Sequence, residues 1–158
     1  MSSAYQPQQQ TVAARVLSGA GWLEGVFHVP KLHAFGDYLA HHPWYPMTNV
    51  VMAKVGTMPF FALTQGETFL VSVAAPLAPG PSEHRAVKAT LLLPSGVVDG
   101  TLWLPTALRL SDFVERATGF LHVHEANVKL WADSAAVYFE DVLINPRRLV
   151  GVTELEGP

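Results

Sequence analysis

The chain contains no cysteine. Disulfide scaffolds, thiolate zinc sites and cysteine nucleophiles are therefore excluded, and the absence agrees with a reducing cytoplasm. Charge is also scarce, at 15% of residues, with a net charge of −3 when the histidines are neutral. A nucleic-acid binder usually carries a basic excess, because phosphate neutralisation supplies much of its affinity. Without that excess, nucleic acid is a possible partner through a local patch but not a favoured one. Long apolar runs are missing too: stretches such as 74–78 fall far short of the roughly 20 residues a membrane span needs. The N-terminus, MSSAYQPQQQ, lacks the basic start and apolar core of a signal peptide. The expectation is a cytoplasmic protein with no membrane contact. Also absent are the phosphate loop, the dinucleotide fingerprint, the nucleophile elbow and the HExxH helix. No cofactor is expected, and an enzyme is less favoured than a binding module.

What is present is apolar residue in quantity, at 49% of the chain. That is ample for a buried core and wrong for a disordered protein. At 158 residues there is room for one domain or two very small ones.

The chain also reads as the same pattern written twice. Residues 22–45 and, seventy-five positions on, residues 97–120 align without a gap. Gly25 falls on Gly100, Pro30 on Pro105, Asp37 on Asp112 and Glu24 on Asp99. Apolar residues coincide as well, among them Phe27 with Leu102, Val29 with Leu104 and Tyr38 with Phe113. Each copy reads as two strands, a short helix and three strands. Gly100 interrupts its strand where a bulge or bend is expected, and Ser111 reads as a helix N-cap. The fold expected is mainly β with short helices, a tandem duplication of a small five-stranded barrel-like module. The modules occupy 12–74 and 87–155 and pack with pseudo-two-fold symmetry. A polar tail over 1–11 is expected to be disordered, and a Pro-rich linker spans 75–86.

The segments VVDGTLWLP (97–105), RLSDFV (109–114), FLHVHEANV (120–128) and VLINPRRLVGV (142–152) make the second copy resemble a family of uncharacterised bacterial domains. The resemblance covers most of 88–155. It implies a small Sm-like or SH3-like barrel and carries no activity. Sm-like domains often form rings through strand edges, so a homo-oligomer is one implication. The first copy departs from the pattern, with Ala34–Tyr38 where RLSDF would stand and no final arginine pair.

Few residues suggest chemistry. His122 and His124 are two apart on an expected strand and so face one side, the spacing at which a strand presents two metal ligands. A metal would need a further ligand, and the adjacent Glu125 points away. A polar, solvent-facing strand edge is the preferred reading. His41 and His42 suit a helix C-terminus, and Asp37 and Asp112 suit first helical turns. His28 and Trp103 hold equivalent places facing away from the main apolar row, and an outward tryptophan marks a contact surface or packs against the other copy. Asn145, Arg147 and Arg148 sit in a turn where an Sm-like domain would bind RNA, although a solvated turn explains them as well. The leading functional expectation is a non-enzymatic binding or assembly module acting on a protein partner or on itself. RNA or single-strand binding and a metal-dependent enzyme are the alternatives.

Overall fold

The computed structural model describes residues 9–73 and 83–155. The first half runs β1 (Gln9–Ser18), β2 (Gly21–Pro30), α1 (Phe35–His41), β3 (Trp44–Met52), β4 (Gly56–Thr64), a 3-10 turn (Gln65–Glu67) and β5 (Thr68–Val73). The second runs β6 (His84–Leu93), β7 (Gly96–Pro105), α2 (Leu110–Glu115), β8 (Leu121–Leu130), β9 (Val137–Ile144), a 3-10 turn (Pro146–Arg148) and β10 (Gly151–Glu154). The two halves follow the same order of elements.

Local sequence explains most of these boundaries. Alternation of apolar residues puts Leu23, Phe27 and Val29 of β2, and Val98, Leu102 and Leu104 of β7, inside, as a period of two requires. Pro30 and Pro105 close their strands. In the β1–β2 turn Gly21 takes φ +109°, a conformation that glycine adopts without strain. Both β3 and β8 are bulged opposite a glycine: Asn49 and Val50 oppose Gly25 of β2, and Glu125 and Ala126 oppose Gly100 of β7. A Cβ on Gly25 would lie 2.7 Å from Val50 Cγ2, so the close approach of β3 requires glycine there. Both helices carry an aspartate in the first turn, Asp37 and Asp112. Ser111 is not an N-cap as expected: Arg109 holds that position, without a side-chain cap.

All ten strands belong to one antiparallel sheet, in the order β10-β6-β7-β8-β9-β5-β1-β2-β3-β4. The barrel expectation is corrected here, because the sheet is open, with β10 and β4 as its edges. Within each half the order has the same form, β5-β1-β2-β3-β4 and β10-β6-β7-β8-β9. Neither half closes on itself, because β5 takes β9 of the other half as its second neighbour.

That junction also divides the core. One cluster holds the apolar residues of the second half together with Leu17, Phe69 and Leu70. The other holds those of the first half together with Leu143. Paired Leu70 and Ile144 therefore join one core, and paired Val71 and Leu143 join the other. Strands buried on both faces read as continuous apolar runs, which accounts for Phe69-Leu70-Val71 and Val142-Leu143-Ile144. Each such fully buried side chain contributes about 1.5–3 kcal/mol.

Gln9–Thr11 belong to β1 and His84–Ala86 to β6, so both strands reach into stretches read from sequence as tail and linker. The rest of the tail and most of the linker lie outside the described residues. Among the described residues no helix is long and apolar enough to cross a membrane.

Candidate functional site

Two features stand apart from the core: the free edges of the sheet and a polar cluster on its second half.

Among the described residues β4 and β10 each have a strand neighbour on one side only, so a row of backbone donors and acceptors is left for pairing. Large apolar side chains are exposed beside both edges. Val55 and Phe60 accompany β4, and Val150 and Leu155 flank β10. Pro59 lies inside β4 with its ring nitrogen toward β3, so it leaves the open side of the strand's C-terminal part unaffected. There Ala62 stands opposite Pro46 of β3. Proline cannot complete a hydrogen-bonded pair, so Ala62 turns its own N–H and C=O to the open side.

The cluster consists of His122 and His124 on β8 and Asp141 on β9. Strand register makes it, because His124 is the direct partner of Asp141, and His122 lies two residues away on the same face. His122 Nε2 lies 2.8 Å and His124 Nδ1 2.7 Å from the same carboxylate oxygen, Asp141 Oδ1. A carboxylate only accepts, so His122 donates from Nε2 to Asp141, and His124 Nδ1 stands at contact distance from the same oxygen. The two rings are 4.0 Å apart between centroids, and the edge-on Trp103 ring lies 6.0 Å from that of His124. His124 Nε2 is buried without a hydrogen-bond partner. Burial pushes the His122 imidazole below its ordinary range, against the Asp141 hydrogen bond, and the nearby His124 adds to the lowering. The ring is thereby biased to the neutral form, which offers a lone pair at Nε2 when its proton resides on Nδ1.

Sequence reasoning found both histidines but not Asp141. It looked for the missing ligand at Glu125, next in the chain, whereas the sheet supplies it from the neighbouring strand. The available signal is Asp141 itself, an acidic residue directly before the apolar run Val142–Ile144 of β9.

The other sequence-predicted residues do not converge. His28 accepts from or donates to Thr48 Oγ1 at 2.8 Å, joining β2 to β3. Trp103 is 39% exposed, which leaves part of its ring for a contact. Asn145 is buried. Its Nδ2 donates to the Gln65 and Thr68 carbonyls, its backbone N–H donates to Phe69 O, and its Oδ1 accepts from Arg147 N. This asparagine latches β9 to β5. Arg148 lies over the Phe69 ring at 5.3 Å, in cation–π range. Arg147 lines a small cleft between Gln65 and Gly119. His41 Nδ1 and His42 Nδ1 donate to the Asp37 and Tyr38 carbonyls of α1.

Compared with protein-family models, with curated proteins and with solved structures, the chain matches none.

Proposed function

We propose that this chain is a non-enzymatic assembly module, a tandem duplication whose copies join head to tail, β10 of one adding to β4 of the next. The observation that carries it is the β5–β9 junction. In it the last strand of one half already pairs with the fourth strand of the other. β10 and β4 are the counterparts of β5 and β9, left without that pairing.

The internal junction supplies a register for the external one. Leu70 pairs with Leu17 as Gly151 pairs with Leu92. Leu63 pairs with Tyr45 as Ile144 pairs with Leu121. Carrying Leu70↔Ile144, Val71↔Leu143 and Ser72↔Val142 across gives Gly151↔Leu63, Val152↔Ala62 and Thr153↔Phe61. The Asn145 N–H to Phe69 O bond carries across as Thr64 N–H to Val150 O. These positions lie past Pro59, where β4 offers an outward N–H. The apolar side chains exposed at both edges would be covered. The same order of strands within each half supports the duplication.

Such a contact is heterologous, so it gives a closed ring when its rotation divides the circle and a filament otherwise. Light scattering after size exclusion tests it. The wild-type protein is expected to elute as an oligomer across the micromolar range. Ala62→Pro removes an outward N–H from an edge strand, which the monomer tolerates, and is expected to give a folded monomer. A monomeric wild type, or an Ala62→Pro variant of unchanged mass, would overturn this function.

A further inference from the structure

We infer that His122, His124 and Asp141 form a binding site for a divalent first-row transition ion. The inference stands on side-chain geometry and does not depend on the assembly reading.

The ligand atoms are already gathered. Two imidazole nitrogens and one carboxylate oxygen lie within 4.8 Å of one another. Around a tetrahedral ion with bonds of about 2.0–2.1 Å, ligand atoms sit roughly 3.3 Å apart. The present separations of 2.8 and 2.7 Å from nitrogen to oxygen need to open by about half an ångström to meet that spacing. A small rotation of the Asp141 side chain supplies it. The backbone is fixed in advance, since all three residues sit on paired strands.

The fold itself does not require the cluster. In the first half Thr48 stands opposite Phe60 as His124 stands opposite Asp141, and Pro46 takes the place of His122. One backbone frame thus carries Pro, Thr and Phe in one half and His, His and Asp in the other. A polar group that only maintained the sheet would be needed in both.

The donor set selects the ion class. Two nitrogens and one oxygen suit Zn²⁺, Co²⁺ or Ni²⁺, whereas Ca²⁺ and Mg²⁺ prefer all-oxygen sites. Strand register holds His122 Nε2 and His124 Nδ1 facing one point beside Asp141 Oδ1, and each becomes a ligand when its ring carries the proton on the other nitrogen. Three protein ligands leave at least one coordination position for water or a small ligand. His122 also lines a cleft of about 420 Å³ with Pro105, Phe113, Arg116 and Phe120, so such a ligand has space beside the site.

The test is a Co²⁺ and Zn²⁺ titration of full-length protein without a histidine tag, by calorimetry and by visible absorption. One equivalent is expected to bind, with Co²⁺ showing ligand-field bands. Asp141→Asn and the double variant His122→Gln/His124→Gln are each expected to weaken binding by at least about a hundredfold, beyond the effect of losing an outer partner alone. A His41→Ala/His42→Ala variant should bind as the wild type does. Circular dichroism and melting temperature establish that each variant is folded, and either triad variant suffices. No bound ion in the wild type, or equal affinity in a folded triad variant, would overturn the site.

Discussion

Asn49 and Glu125 occupy the same place in β3 and β8, and both have positive φ, 53° and 49°. Each is the first of the two residues that its strand sets against a single glycine of the neighbouring strand. Val50 and Ala126 are buried immediately after them. The left-handed residue turns the strand so that alternation restarts in phase with the core. Non-glycine residues accept this conformation reluctantly, asparagine more readily than most.

Replacing either residue by valine should therefore be costly although both side chains are exposed. Asn49→Val and Glu125→Val are each expected to lose about 1–3 kcal/mol, the cost of forcing a β-branched residue into that region. Glu125→Asn should be neutral or mildly stabilising. Urea unfolding of the three variants reads the difference.

The latch at Asn145 can be opened singly. Asn145→Ala leaves the Gln65 and Thr68 carbonyls without their side-chain donor in a buried setting. A loss of about 1–3 kcal/mol is expected. Hydrogen exchange should quicken in β5 and β9 more than in β2 and β3, whereas a uniform change would show that the residue does not act at the junction.

The absence of cysteine makes the assembly register directly readable. A copy with Ala62→Cys mixed with a copy carrying Val152→Cys should form a disulfide-linked dimer on mild oxidation. Directly opposed antiparallel residues lie about 5.5 Å apart between Cα atoms, within disulfide reach. Neither single variant alone should cross-link efficiently. Cross-linking of one variant with itself would indicate a two-fold contact and displace the head-to-tail arrangement.

Trp103 offers a reporter for the metal site, because its ring lies beside that of His124. Co²⁺ should quench tryptophan fluorescence in the wild type, and Trp103→Phe should abolish most of the response while leaving the absorption bands in place. Quenching that persists in Trp103→Phe would place the ion near one of the other tryptophans.

Much of this fold was readable in the sequence. The alternation in β2 and β7, the bulge opposite Gly100, the prolines that end both strands and the helix at Phe35–His41 all follow from local patterning. β3 is legible only in part, because His41-His42-Pro43-Trp44 reads as a helix end, whereas the strand already begins at Trp44. Pro46 is accommodated because it lies just beyond Met47, the last residue of β3 paired with β2. The joining of the halves was not legible. Nothing local distinguishes a β5 that returns to its own β4 from one that takes β9, since both choices bury the same apolar run. The cluster was half legible for the same reason. A spacing of two places His122 beside His124, but only the register between strands brings Asp141 to them.

The joint between β5 and β9 also sets an order of events as the chain is made. Leu70 emerges from the ribosome long before its partner Ile144. Until β9 has been synthesised, the outer edge of β5 stays open, with apolar side chains meant for two cores. Long-range pairing of this kind forms late, because loop closure precedes its reward. A neighbouring nascent chain that has already completed its own β9 can take the vacant place. The step most exposed to error in producing this protein is thus the one that makes it a single sheet, and crowded translation should favour exchanged dimers over correctly closed chains.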